Sequence, residues 1–317
     1  MRKILKKAIK IISIIAIVAL IGYLYIKYTD IPKYETVKVD YKIKSDSVAV
    51  ARGKKLAVML CASCHLDIIS GKLTGGKMTD APIEFGEIYA PNITQDKNYG
   101  IGNWTDAEIL YLLRTGIKKD GQYAPPYMAK LPKMADEDIN AIISFLRSDD
   151  PLVTAEPTPD QPSKPSTLTK LLSRFVWKPF EMPTEKIVIP DTTNTVALGK
   201  YLTTNLDCFA CHSANFKTND YLNPENSKGY FAGGNKPLNR EGKVRITPNI
   251  TPDKETGIGT WSKEKFIKAV KFGVVDDHIM VYPMMPYTLL TDTEVGAIYD
   301  YIQTIPPIKN KIERVYH

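Results

Sequence analysis

All four cysteines of the chain fall in two five-residue clusters, Cys61-Ala62-Ser63-Cys64-His65 and Cys208-Phe209-Ala210-Cys211-His212. Two cysteines three apart share one face of a helical turn. Both sulfurs can then add to the two vinyl groups of one haem, while the histidine that follows points its imidazole at the iron. This is the pattern of covalent c-type attachment. A zinc site needs four ligands, and one cluster supplies three at a strained spacing. A thioredoxin-like redox pair gives no reason for histidine to follow both times. Two covalently attached haems c are expected, one on Cys61, Cys64 and His65, the other on Cys208, Cys211 and His212. No cysteine is left over for a disulfide or a reactive thiol.

The iron needs a sixth ligand if it is closed. The histidines are His65, His212, His278 and His317, so the first half has none to spare. Its distal ligand is expected to be methionine, which raises the reduction potential. Met134 stands where the second half has Leu290 and reads as core, and Met78 follows the cysteine motif too closely. Met128 lies in a stiff loop after Pro125-Pro126-Tyr127 and pairs with Met284 in the second half. Met285, followed by Pro286, is the alternative there. His278 reads as a surface loop residue and His317 as a terminal one.

The elements that position these residues occur twice. Residues 91–104 read PNITQDKNYGIGNW and residues 248–261 read PNITPDKETGIGTW, ten of the fourteen identical. Each half has the same order: helix, cysteine motif, long loop, PNIT segment, helix, methionine loop, final helix. Two copies at this spacing make two domains rather than a solenoid. Ser47 to Cys61 reads as a helix running into the first motif. Thr105-Asp106-Ala107-Glu108 and Thr291-Asp292-Thr293-Glu294 are capping boxes that open helices. Met134 to Arg147 reads as the last helix of the first half, with Ile139, Ile142, Ile143 and Leu146 at helical spacing. A ligating histidine usually donates its other ring N–H to a carbonyl, and Pro91 and Pro248 are the candidates to accept. The glycines of the GIG strings lack the third glycine of a dinucleotide loop and read as turns; Trp104 and Trp261 read as core.

Six of the seven net positive charges lie in residues 1–27, which contain no acid. The remainder is nearly neutral, so nothing argues for nucleic acid. The basic head precedes an apolar run from Ile11 to Ile26, which Ala8 to Lys10 extend to spanning length. Ile17-Val18-Ala19 is a poor match to a signal-peptide cleavage site. Tyr23, Tyr25 and Tyr28 sit where an interfacial aromatic belt would be. An uncleaved single-pass anchor in the cytoplasmic membrane is expected, with residues 30–317 on the outer, periplasmic side. Between the halves, residues 149–166 are proline-rich and read as extended. Residues 167–180 read as a short amphipathic helix packed on a domain, Leu171, Leu172, Phe175 and Trp177 otherwise touching membrane or a partner.

Each half resembles a class I cytochrome c domain. The string from Gly86 to Asp106, the later loop methionine and the final helix resemble haem domains of the cytochrome c subunits of membrane-bound alcohol and sugar-acid dehydrogenases, over about residues 45–150 and 190–306. Those subunits pass electrons from a periplasmic dehydrogenase toward the quinone pool or a terminal oxidase. They commonly carry three haem domains, where this chain shows two, and a Met-Pro pair where it has Met128-Ala129. The resulting expectation is a mainly α chain of two tandem cytochrome c domains behind a transmembrane helix. The anchor occupies residues 1–28, the domains 45–150 and 190–310, and the linker 151–189. It implies an electron carrier that catalyses no bond chemistry, serving a dehydrogenase, quinone-linked complex or oxidase. The enzyme alternative, a di-haem peroxidase, needs one iron with an open position, against which two methionine loops argue.

Overall fold

A computed structural model of the chain describes residues 2–239, 241–276, 278–279 and 287–313. Met284, Met285 and His317 lie outside the described residues. The helices are α1 (Arg2–Tyr28), α2 (Ser47–Leu60), α3 (Ala62–His65), α4 (Asp106–Thr115), α5 (Asp136–Leu146), α6 (Thr167–Phe175), α7 (Thr195–Asn205), α8 (Cys208–His212), α9 (Lys263–Phe272) and α10 (Asp292–Ile302). The described strands are two-residue ladders between loops. The mainly helical class expected from the sequence holds.

Local chemistry explains where the helices start and stop. Both capping boxes form: Thr105 with Glu108 opens α4, and Thr291 with Glu294 opens α10. Asp46 and Asn194 cap α2 and α7 by accepting from the amides of Ala49 and Ala197. Gly116 and Gly273 end α4 and α9 with positive φ, which glycine adopts without a Cβ penalty. The final helix of the first half begins at Asp136, two residues later than its periodicity suggests. Its N-cap, Ala135, has no capping side chain of its own. Instead the Ala135 amide donates to the Tyr201 hydroxyl at 3.0 Å, and the Met134 carbonyl accepts from Arg114. Partners from outside the helix hold this stretch out of it.

In each half the helix leading into the cysteine motif crosses the final helix, α2 over α5 and α7 over α10. Gly53 makes the first crossing: a Cβ there would stand 1.8 Å from the Ala141 carbonyl oxygen. Gly199 makes the second, where a Cβ would stand 2.0 Å from the Ala297 oxygen. The backbones touch because nothing larger than hydrogen lies between them.

The two halves share one core. Leu56, Met59 and Met134 meet Leu202, Leu206 and Leu290 across the junction. The polar contacts at its rim are related by a pseudo-twofold. Lys55 on α2 reaches Glu294 on α10 at 2.7 and 2.5 Å. Tyr201, the counterpart of Lys55 on α7, donates to Asp138, the counterpart of Glu294 on α5, at 2.6 Å. Such reciprocal pairing is the signature of an isologous interface, here within one chain. Arg52 also binds Asp138, whose side chain is 1% exposed, so that carboxylate is paired from both halves.

The stretch read as extended, 149–166, instead opens with a turn at 151–154, where the Val153 and Thr154 amides donate to the Asp150 carbonyl, and only residues 155–163 run without regular structure; they are not a free spacer. Glu156 and Thr158 carbonyls accept from the Asn92 side chain at 2.9 and 3.1 Å. The Asp160 carboxylate accepts from the Asn92 amide, and the Ser163 hydroxyl from the Tyr89 amide. The second half repeats this with its tail: the Ile308 carbonyl accepts from Asn249 at 2.8 Å. The proline-rich stretch is thus the closing strap of the first half. A second strap, residues 29–46, joins α1 to the same half through Ile31, which is buried, and through Tyr34 to Gly121 and Asn140 to Lys44.

Candidate functional site

The cysteine motifs form the short helices α3 and α8. In the first, the amides of Cys64 and His65 donate back to the Cys61 carbonyl at 3.2 and 2.9 Å. All four cysteines are unbridged and half-buried. Burial pushes the Cys61, Cys208 and Cys211 thiols up to about 12, with the neighbouring Cys64 adding to the effect at Cys61 and Asp207 at the other two. This is the reverse of the depressed pKa that a thioredoxin-like pair needs. Among the described residues, no three His, Cys, Asp or Glu side chains gather as a metal-ion cluster, and the cysteine–histidine triplets do not converge as zinc ligands must.

Both histidines are buried, and both are oriented by the expected proline carbonyls. His65 Nδ1 donates to the Pro91 oxygen at 2.8 Å, and His212 Nδ1 to the Pro248 oxygen at 3.1 Å. A carbonyl only accepts, so Nδ1 carries the proton and Nε2 keeps its lone pair. Burial lowers both histidine pKa values, against the opposing pull of the proline carbonyls. A neutral imidazole offering Nε2 is the form a metal takes.

The repeated PNIT segments build the holder of that carbonyl. Asn92 Oδ1 accepts from the Thr94 amide at 2.8 Å and from its hydroxyl at 2.7 Å; Asn249 and Thr251 repeat this at 2.9 and 2.8 Å. All four side chains are buried. Gly75 and Gly233, both at positive φ, pack directly on the Pro91 and Pro248 carbonyls, and each donates its amide to the carbonyl of the motif histidine, at 2.8 and 2.7 Å. A Cβ at Gly75 would lie 2.7 Å from the Pro91 oxygen. The sequence points to Pro91 and Pro248 as the acceptors, and both accept. The Asn–Thr pair that holds each carbonyl is what it does not state, and the signal for it is the ten identities in fourteen.

Met128 is half-buried against the core of the first half. Its loop is closed by the Met128 amide to Pro125 at 3.0 Å and by Lys130 Nζ to the same carbonyl at 2.7 Å. Arg114, unnoticed in the sequence, locks the exit. Its side chain is 1% exposed and donates to the Leu131 carbonyl at 2.9 Å, to the Met134 carbonyl at 2.5 Å and to Asp136 at 2.5 Å. The second half keeps a weaker version, Lys271 with Asp292. Replacing Arg114 with leucine leaves the Leu131 and Met134 carbonyls unpaired, while Asp136, 40% exposed, can meet water; the expected cost is about 1–3 kcal/mol for each unsatisfied acceptor. Guanidinium denaturation of the haem-loaded protein measures it, with Lys271→Leu, at a site with one partner, expected to cost less.

Met128's loop also faces the other half. Burial raises Asp207, which precedes Cys208, to about 7 and lowers Lys130 to about 7, each drawn part-way back by the other's charge. The methionine loop of the first site and the attachment helix of the second are therefore neighbours across the junction. Burial also raises the Tyr287 hydroxyl well above its usual range, helped by Cys208 and Cys211, and that hydroxyl donates to the Leu206 carbonyl at 2.9 Å. His278 starts a two-residue strand paired with Val274–Val275.

These residues fit a covalently held haem: two thiols and one proton-anchored imidazole on a short helix or at its N-cap, with a methionine loop in the first half. Fold and site together define a c-type cytochrome. The cytochrome c family model matches residues 50–149 and 196–306, and the chain belongs to that family; its cofactor is haem c. It is similar to the cytochrome c subunit of the quinone alcohol dehydrogenase of Gluconacetobacter polyoxogenes, 30% identical over 278 residues, covering 83% of this chain and 57% of that subunit. It is also similar to the fructose dehydrogenase cytochrome subunit of Gluconobacter japonicus, 30% identical, covering 81% of this chain and 53% of that one. A diheme cytochrome c-type protein of Cereibacter sphaeroides is 28% identical, with 78% of this chain and 83% of that one covered. The chain thus spans little more than half the length of the first two. Those relatives are named as cytochrome subunits, not as catalytic ones.

Proposed function

We propose that the chain is a di-haem c-type cytochrome that carries electrons, held in the cytoplasmic membrane by α1 with both halves on the outer side. The observation that carries this reading is the duplicated wiring: two cysteine motifs, two buried histidines and two proline carbonyls in the same arrangement within one shared core. When bound, each haem supplies an iron that alternates between ferric and ferrous states. The chain's own work is positional. Cys61, Cys64, Cys208 and Cys211 would hold the two groups covalently. His65 and His212 would face the irons with tautomer and ring orientation fixed by Pro91 and Pro248. Met128 would close the first iron, and Met284, with Met285 as alternative, the second.

A closed iron with fixed ligands reorganises little on gaining an electron, which suits transfer rather than bond chemistry. The shared core keeps the two sites at a constant separation, so electrons can pass between them inside one rigid unit. The names of the relatives favour a dehydrogenase as donor; the acceptor proposed is a quinone-linked complex or an oxidase. The anchor reading rests on α1, whose 27 residues are long and apolar enough to cross a membrane and are not buried against the protein.

Potentiometric titration tests the carrier reading. Two reversible one-electron steps are expected. Met128→Ala is expected to lower one midpoint by on the order of 100 mV, axial ligands spanning roughly 0.8 V across haem proteins, and to leave the other nearly unchanged. Unaltered midpoints in Met128→Ala would remove Met128 from the iron.

A further inference from the structure

α6 is built inside out. Its packed side carries Thr169 and Ser173, both fully buried. Their hydroxyls are satisfied locally, Thr169 to the Phe85 carbonyl at 2.9 Å and Ser173 to the Thr169 carbonyl at 2.8 Å. Leu168, Leu171, Phe175 and Val176 point outward, the last two 68% and 63% exposed. Trp177 packs inward, edge-on to Phe85 at 5.3 Å. A helix facing water places its charges outward and its leucines inward; α6 reverses this.

What covers that face is indicated by where the helix is fastened. Lys170 Nζ donates to the Lys27 carbonyl at 3.0 Å, and Arg174 donates to the Thr29 hydroxyl and the Asp30 carbonyl. The Arg174 guanidinium also lies 5.7 Å over the Tyr25 ring. These are the last turn of α1 and the residues just beyond it, at the level that Tyr23, Tyr25 and Tyr28 mark as an interfacial belt. Lys27, Lys170, Arg174 and Lys178 give the zone a positive charge that complements lipid phosphates.

We propose that α6 lies in the headgroup layer of the membrane that α1 crosses, with Leu168, Leu171, Phe175 and Val176 dipping toward the acyl chains. This rests on the reading of α1 as an anchor. An interfacial helix of this kind buries its apolar face about 5–10 Å into the headgroup–acyl boundary. The span and the surface helix are bonded to each other and to the first half, so the pair would fix the tilt of the haem-bearing halves above the lipid. A single flexible tether could not. A partner protein could also cover an apolar face, but a helix fastened to the exit of a span meets lipid first.

The test uses the full-length haem-loaded chain in nanodiscs of mixed neutral and anionic phospholipid, with no partner present. A nitroxide is placed, one per variant, at Phe175→Cys, at Val176→Cys, at Leu20→Cys within α1 and at Lys309→Cys in the second half. Each label's relaxation without collider is subtracted, so that the contribution of the haem irons cancels. Collision with oxygen, which prefers lipid, is compared with collision with a water-soluble nickel complex. The labels at 175 and 176 are expected to shift toward the oxygen-rich ratio of the label at 20, away from the water-like ratio at 309. A lipid-like label at 20 with water-like labels at 175 and 176 would overturn the proposal and leave the anchor standing, with a protein partner as the remaining cover. A water-like label at 20 would overturn the anchor reading, and the proposal with it.

Discussion

Replacing Cys61 and Cys64 together with alanine is expected to halve the covalently bound haem per chain, and replacing Cys208 and Cys211 is expected to do the same. All four replacements should leave none. The prediction follows from the separateness of the two attachment helices. α3 with its N-cap Cys61, and α8, each carry a full set of two sulfurs and one imidazole, and each imidazole has its own proline carbonyl. Neither half borrows an attachment residue from the other. Haem staining after denaturing electrophoresis, together with the pyridine haemochrome spectrum, counts what remains. A chain that lost both haems when one motif was removed would show that the halves cannot mature independently. A chain that kept both would remove that motif from the attachment chemistry.

The second large effect is expected at a glycine far from any iron ligand. Gly53→Val forces a branched side chain into the space of the Ala141 carbonyl, where even a Cβ would stand 1.8 Å away. Overpacking typically costs about 1–3 kcal/mol, and here the obstacle is backbone that cannot rotate aside, so a loss at or above the upper end is expected. For a domain of this size that lowers the melting temperature by on the order of 10 °C or more. The consequence reaches the site because α2 runs directly into Cys61: moving α2 off α5 moves the first attachment helix. Gly199→Val should act in the same way through Ala297 and α8. Gly76→Ala, which meets nothing within 4 Å, serves as the control, with a change within about 0.5 kcal/mol expected. Thermal unfolding followed by circular dichroism and by haem absorbance reads both the stability and the site. Equal melting temperatures for Gly53→Val and Gly76→Ala would mean that the crossing tolerates separation.

Much of this was legible because the motifs are local. A CxxCH string, a Thr-x-x-Glu box or a glycine after a helix states its geometry within five residues, and the capping boxes formed as their spacing implied. The proline carbonyls were legible at longer range because a buried imidazole must place its second N–H somewhere, and the PNIT segments recur in step with the motifs. Contacts set by tertiary packing were harder to see. Arg114 shows its role only once the loop that it locks folds over it. Tyr201 and Asp138 reveal their pairing only beside Lys55 and Glu294, since nothing in either string says that the halves meet across a pseudo-twofold. The proline-rich stretch lacks helix and folds into a turn only at 151–154, but composition carries no record of that turn or of which carbonyls a distant asparagine will bind. α6 shows another limit: its periodicity marks an amphipathic helix and cannot say which face turns inward. Leucines were taken to pack inward because they usually do, and here a threonine and a serine take that side.

The central claim is a pair of closed, low-spin haem irons in one electron-carrying chain. Low-temperature electron paramagnetic resonance of the oxidised protein, recorded with its far-red absorption, tests it most directly. The expected result is two low-spin ferric signals and no high-spin component, with the weak sulfur-to-iron band present and diminished in Met128→Ala. A substantial high-spin signal in the unaltered protein would mean that one iron keeps an open position, and the chain would then have to be assayed as a peroxidase.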